Sequence, residues 1–362
     1  MAPSPDLPIV LYHYDLSPYA KRVIWYLTLR KIPYSQCLQP RILPRPDLSL
    51  LGVSYRRIPV LSIGRDVYLD TRLIIAKLET LYPPSAAHPG ISGRAAGRPE
   101  HTALEQLMAA RTIEGDLFTR GTQSFPPGAF AADPAFLRDR TALITGVTTT
   151  TATTPPPFSA EVIARQRPAA LAVLRRWTRW LEEGLLADGR PWILDSNARG
   201  AGGPSLADIE AVWVLHWLRA ALPREVLGPE TTPRVAAWME RFRGAVGSAP
   251  EPEPEPEPES VLGEDAARRI VAAPFAEAEG EVRSGDPFVD AAGLRKGAVV
   301  RMWPTDYGFS HKDVGKLVAV DDGEFVIESE GAFGSVRIHA PRQGFTISGE
   351  EGKKKIGVAS KI

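Results

Sequence analysis

The sequence predicts an α/β domain, then an all-helical domain, with a small all-β unit appended. Three observations carry this. Residues 7–84 alternate short apolar runs of strand type with two amphipathic helical patterns. Residues 98–248 hold helical periodicity throughout. The acidic, proline-rich run "APEPEPEPEPES", residues 249–260, then separates these from 261–349, where short apolar and β-branched runs alternate with turn residues. A length of 362 residues suits two or three domains.

Within the first domain, "PIVLYHY" reads as a buried strand and "SPYAKRVIWYLTLRK" as a helix with Val23, Ile24 and Leu27 on its apolar face. "YSQCLQ" is a second strand and "RIPVLSI" a third. Residues 64–66 make a tight turn into "VYL", and "DTRLIIAKLETLY" is a helix closed by Pro83-Pro84. The order β-α-β, hairpin, helix requires one parallel crossover. Residues 85–98 read as a linker.

The second domain carries "EHTALEQLMAARTIEGDLF", a long stripe over "AEVIARQRPAALAVLRRWTRWLEEGLL" with Pro168 as a kink, "SLADIEAVWVLHWLRAAL" and "TPRVAAWMERFRGAV". "TGVTTTTATTPPPFS" is a low-complexity loop. Alternating Pro and Glu cannot pack and self-repels, so 249–260 reads as a spacer. A short helical segment is expected over 261–281, then about five short strands, then a disordered tail.

Hydrophobic residues make up 44% of the chain and charged residues 24%, enough for a packed core. Lys plus Arg and Asp plus Glu are both 43, which excludes a global basic field for nucleic acid. The single cysteine, Cys37, excludes an internal disulfide framework and reads as a small buried hydrophobe. No apolar run approaches the ~18 residues of a membrane span, and "MAPSPDLP" lacks the features of a signal peptide. A cytoplasmic location is expected. The six histidines show no metal-ligand spacing. There is no P-loop and no Gly-x-Ser-x-Gly elbow, and the glycines at 200–203 read as a loop.

Ser17 stands before Pro18, where the first strand pattern gives way to the first helix. Proline suits the first helical position, and serine suits the N-cap, where its oxygen accepts a backbone N–H. That reading is purely structural. A second reading adds a ligand. The free N–H groups and dipole of a helix N-terminus stabilise negative charge, so a thiol docked there ionises more readily. The serine need not be a base; a hydrogen bond donated to the thiolate favours the charged form. Asp70-Thr71 opens the next helix and has the same two readings, cap or ligand contact. Ser205-x-x-Asp208 is a capping-box variant. Trp213 and Trp217, four apart, read as core.

Taken together, "SPYAKRV", "RIPVLSIGRDVYLDTRLIIAKLE", "PSLADIEAVWVLHWL" and "PRVAAWMERFRGAV" resemble the soluble glutathione transferases, over roughly residues 7–247. The resemblance implies a thioredoxin-like first domain and the all-α domain of that family. It implies glutathione as co-substrate, activated for attack on a small hydrophobic electrophile or for an isomerisation, with no metal and a homodimeric assembly. Ser17 would sit beside the thiolate. Tyr14 competes for that role, because some classes use a tyrosine on the first strand; Tyr12 reads as core. Ile58-Pro59 would be cis, with glutathione adding along it as a short strand. Asp70 and Thr71 would hold the γ-glutamyl end, an acid for the ammonium and a hydroxyl for the carboxylate. Arg56 and Arg57 would meet the glycyl carboxylate, where the plain reading is a solvated arginine pair, and Leu16 and Arg111 would line the electrophile pocket.

Two departures stand out. The pair at 70–71 is usually Glu-Ser, and "LSLLGVSYRRIP" lacks the Asn-Pro often found there. Serine rather than cysteine at the turn argues against exchange through a mixed disulfide. The C-terminal β unit resembles a region of some fungal transferase-like proteins and implies no activity. The alternative is a biosynthetic enzyme or a scaffold of this fold that does not conjugate glutathione.

Overall fold

A computed structural model of the chain describes residues 7–147, 156–194, 202–247 and 257–349. Most of the Thr/Pro loop, most of the Pro/Glu run, residues 195–201 with Gly200 among them, and the C-terminal tail lie outside the described residues.

The first domain follows the predicted order: β1 (Ile9–His13), α1 (Pro18–Leu29), β2 (Ser35–Leu38), a one-turn α2 (Pro46–Ser49), β3 (Val60–Ile63), β4 (Asp66–Leu69) and α3 (Thr71–Leu81). β1 pairs in parallel with β2 and antiparallel with β3, which hairpins into β4. Every residue of β1 is buried, as its unbroken apolar run requires. The hairpin turns at Gly64, whose φ of 54° and close approach to the Pro274 carbonyl leave no room for a side chain.

The helical domain comprises α4 (Pro99–Ala109), α5 (Leu117–Gln123), α6 (Pro134–Thr145), α7 (Ala160–Trp180), α8 (Leu206–Leu218) and α9 (Pro233–Ala245). α4 and α7 each run on into a π-helical turn, Ala110–Glu114 and Leu181–Leu185. Pro168 lies inside α7 without ending it. α8 is buried on nearly all sides, as its almost wholly apolar sequence dictates. Asp208 anchors its start. One carboxylate oxygen accepts from the Ser205 amide (2.8 Å) and hydroxyl (2.7 Å), the other from the Ile193 amide (2.9 Å) and the Trp238 indole (2.7 Å). Arg22 of α1 and Glu210 of α8, each only 2% exposed, form a two-pronged ion pair across the two domains, Nε to Oε2 at 2.7 Å.

The C-terminal region adds β5 (Glu259–Ser260), α10 (Gly263–Ala272), α11 (Pro287–Ala292), β6 (Val299–Pro304), β7 (Asp313–Val320), β8 (Glu324–Glu330), β9 (Ser335–Pro341) and β10 (Phe345–Gly349). β6 to β10 are the five strands expected there. They do not stand apart from the first domain. β9 pairs in parallel with β4, Val67 opposite Ile338 and Tyr68 opposite His339. The result is one ten-stranded sheet in the order β10-β6-β7-β8-β9-β4-β3-β1-β2-β5. β5, from the end of the expected spacer, adds to the far edge beside β2. Val10, Val60, Val67 and Leu69 share one apolar core with Val300, Leu317, Phe325 and Ile338.

The joint between β4 and β9 is ionic and buried. His339 lies 3.0 Å from Asp66 through Nε2 and 3.1 Å from Glu324 through Nδ1. Asp66 also accepts from the Ala276 and Glu277 amides. Lys77 Nζ bridges Glu277 (2.7 Å) and Glu324 (2.6 Å), and the Tyr68 hydroxyl donates to Glu277 at 2.8 Å. Burial alone would lower the His339 pKa; the hydrogen bonds to Asp66 and Glu324 outweigh it and lift the imidazole to about 9.

Two outcomes follow from these buried charges. The His339 pKa is raised on folding, so its contribution is fully present below about pH 6.5 and disappears as pH rises through about 9. Urea titrations over that window should find stability falling by about 3 kcal/mol in the native chain, and a flatter profile for His339→Leu. Arg22→Ala should lower stability by about 3–5 kcal/mol by stranding Glu210, whereas a paired Arg22→Met, Glu210→Met replacement should recover most of that in the same assay.

Candidate functional site

β1 delivers the chain into the turn at 14–17. The Ser17 amide donates to the Tyr14 carbonyl at 3.0 Å. Ser17 takes the extended backbone of an N-cap, and its Oγ accepts from the Ala20 amide at 3.2 Å. The cap is therefore real. The residue is only 2% exposed. A hydroxyl has two acceptor lone pairs and one proton to give; the cap uses a lone pair, and no acceptor among the described residues takes the proton.

Ile58–Pro59 is cis, one of two such bonds among the described residues, with Leu43–Pro44. Tyr12 pairs with Val60 across β1 and β3. That pair ends the β1–β3 ladder, with Pro59 immediately before Val60 and the Ser17 turn immediately after β1. Tyr14 is half-buried, its ring 5.9 Å from the Arg45 guanidinium. Tyr12 is wholly buried, its hydroxyl has no partner among the described residues, and burial pushes its pKa upward.

Asp70 caps α3 from a left-handed conformation, φ 68°. For a residue with a Cβ this costs about 1–3 kcal/mol and persists only where the surroundings hold it. Here Arg72 does so: its amide (3.0 Å) and Nε (2.9 Å) bind one carboxylate oxygen and Nη2 (2.9 Å) the other. Burial pushes the Asp70 carboxyl up, but these hydrogen bonds and the arginine charges prevail and hold it below its ordinary value. Thr71 is buried behind it. Arg72 reaches on to Glu114 at 2.9 Å and to the Gln343 carbonyl at 3.3 Å.

The Arg57 guanidinium stands 6.0 Å from the Tyr55 ring centroid, and its charge pulls back the Tyr55 and Tyr19 hydroxyls that burial pushes upward. It is already engaged. Nε donates to the Tyr307 carbonyl at 2.7 Å, and Nη2 pairs with the Asp306 carboxylate and the same carbonyl. Neighbouring Arg56 turns the other way, to Asp139 of α6 at 2.9 Å.

The two residues expected in the electrophile pocket are both exposed. Leu16 is 68% exposed on the turn. Arg111 pairs with Asp116 within its own domain, and its side chain is 41% exposed. Glu114, at the end of the same π-helical turn, instead faces the first domain through Arg72 and Gln343. The structure thus brings Ser17, Tyr14, Ile58 and Pro59 to one edge, and Asp70, Thr71 and Arg57 to a polar group beside Tyr19 and Tyr55. Arg72 and Asp306 are the members that sequence reasoning missed. Only Arg72, two places after Asp70, carried a local signal.

Tertiary structure also groups Glu277, Glu324 and His339, with ligand atoms within 4.8 Å of one another, at a cavity of about 150 Å³. The histidine spacing in sequence conceals this. The Lys77 ammonium already takes the cationic position between the two glutamates. A larger open groove of about 670 Å³ runs along α7 past Leu171, Arg175, Arg179 and Trp180 and shares no residue with the Ser17 site.

Residues 11–86 match the family described as "Glutathione S-transferase, N-terminal domain", and residues 120–251 match "Domain of unknown function (DUF7962)". The chain is similar in structure to a GST-like protein from Pseudomonas syringae, at 22% identity and TM-score 0.59, over 94% of this chain and 99% of that one. The fold is that of the glutathione transferases. More distant are a rice GST solved in complex with glutathione (17% identity, 72% of this chain and 94% of that, TM-score 0.45) and human glutathione-S-transferase T1-1 (18%, 74% and 93%, 0.44). No curated protein matches the sequence. Among the described residues no helix is long and apolar enough to cross a membrane.

The cap at Ser17 has a measurable weight of its own. Ser17→Ala should lower stability by about 1 kcal/mol in urea titration, the usual value of an N-cap side chain, with no loss of helical circular dichroism below the transition.

Proposed function

We propose that the chain is a glutathione-dependent transferase, in which glutathione lies along the Pro59 edge with its thiolate at Ser17. The observation that carries this reading is the buried Ser17 hydroxyl at the N-terminus of α1, which spends one lone pair on the Ala20 amide and keeps its proton for an acceptor. A thiolate at that point accepts the proton's hydrogen bond and sits in the positive field of the helix end. Lowering a thiol pKa by about two units takes roughly 2.7 kcal/mol, which one charge-assisted hydrogen bond and the dipole together supply. The thiol proton leaves to water. The thiolate then forms a C–S bond to a small hydrophobic electrophile, by addition or with departure of a leaving group. The match of residues 11–86 to the N-terminal domain of glutathione S-transferases supports the same reading.

A second reading draws on different residues. Asp70 and Arg57, the groups assigned to the two ends of glutathione, each already hold a partner from the chain, Arg72 and Asp306. That favours a protein of this fold that does not conjugate glutathione. Calorimetric titration of glutathione into the full chain separates the two. The transferase reading expects micromolar-to-millimolar binding that Asp70→Ala abolishes, and a conjugation rate reduced about a hundredfold by Ser17→Ala with binding little changed. Absence of binding by the native chain and by variants that free Arg57 would establish the second reading.

A further inference from the structure

We propose that the loop at residues 305–308 is a resident occupant of the glutathione site, with Asp306 giving Arg57 the carboxylate that glutathione would otherwise give it. The proposal rests on the glutathione reading above and adds a regulation to that site.

Arg57 immediately precedes the cis Ile58–Pro59 edge. A guanidinium presents a planar fork suited to a carboxylate. Here one nitrogen of the fork binds a carboxylate and, with its neighbour, a peptide carbonyl, Asp306 and Tyr307. A carboxylate beside a peptide carbonyl is the chemistry of a peptide's C-terminal end, which is the end of glutathione assigned to Arg57. The loop is also seated rather than merely near. The Gly308 amide donates to the Leu143 carbonyl of α6 at 2.8 Å, and the Thr305 amide to Gly344 at 2.9 Å. Gly308 has φ 78°, and a Cβ there would stand 3.0 Å from the Arg56 side chain, so the loop lies against the arginine pair at contact distance. Phe309 packs over Gly146 at the end of α6.

The occupant is displaceable in kind. The Asp306 side chain is 53% exposed, and Tyr307 is 36% exposed, so water reaches the contact. An incoming carboxylate replaces one charge-assisted bond by another, while Asp306 returns to water at little desolvation cost. A tethered carboxylate competes at a high effective concentration. The apparent dissociation constant for glutathione is then the intrinsic one divided by the fraction of molecules whose loop is open. Glu114 and Gln343 close the neighbouring side through Arg72, so the loop at 305–308 is the part whose release exposes Arg57.

The test compares the native full chain with Asp306→Ala, titrating glutathione, and glutathione amidated at its C-terminal carboxylate, by calorimetry. Amide hydrogen exchange at Gly308 and Thr305 is followed in parallel. The expected result is at least tenfold tighter glutathione binding by Asp306→Ala, no such gain for the amide, and faster exchange at Gly308 in the variant and in the glutathione-saturated native chain. Equal glutathione affinity in the two proteins overturns the occupant while leaving the glutathione site standing. An equal gain for both ligands overturns Asp306 as a carboxylate substitute. No binding by either protein, with native circular dichroism, overturns the glutathione reading and this proposal with it. If Asp306→Ala does not fold, Asp306→Asn serves, with an expected smaller gain of the same sign.

Discussion

The parallel pairing of β4 with β9 is the constraint on which the rest depends. β4 would otherwise be the edge of a small sheet, with a row of unpaired backbone groups facing water. β9 covers it, and the strands of the first domain and of the C-terminal region become a single ten-stranded sheet with a shared core. The pairing carries its own specificity. Asp66 on β4 is wholly buried and needs the His339 imidazole of β9, which in turn needs Glu324 of β8. A buried carboxylate without that partner is costly, so a slipped register is disfavoured twice, by lost ladder bonds and by an unpaired charge. Lys77 of α3 closes the network, tying the helix that Asp70 caps to the same joint.

The candidate site inherits its walls from this arrangement. Once β9 is fixed, the loops at 305–308 and 342–344 fall against Arg57 and Arg72. The helical domain is held in turn by charged contacts from the first domain: Arg22 to Glu210, Arg56 to Asp139, and Arg72 to Glu114. Such pairs contribute modest net stability, because desolvation offsets most of their attraction. What they contribute is geometry, since each arginine fork accepts its carboxylate in few orientations. The result is a site whose charged groups, Asp70, Arg57 and Arg72, are paired within the chain, while the Ser17 hydroxyl keeps its proton.

How much was legible in the sequence differs between the two kinds of feature. The strands of the first domain, the helices of the second and the five C-terminal strands were readable because apolar periodicity is a local signal. The caps at Ser17, Asp70 and Ser205 were readable because a cap is set by residues within one turn of it. The contacts around Arg111 were not legible in the same way. The helix there widens into a π-helical turn, which displaces the face that α-helical spacing assigns, and Glu114 meets Arg72 while Arg111 turns to Asp116. The reading of 249–260 as a spacer gave no hint that Glu259–Ser260 adds a strand beside β2.

By itself, then, the sequence determined the elements, their order, and the Ser17-Pro18 junction with its helix cap, because these depend on neighbours a few residues away. Only tertiary structure decided that the C-terminal strands extend the first sheet, that His339 is shared by Asp66 and Glu324, and that Arg57 is held by Asp306. Asp66 and His339, and Arg57 and Asp306, lie more than two hundred residues apart, and a buried charge selects its counterpart by distance and geometry after packing. Nothing in the local alternation of residue types records that choice.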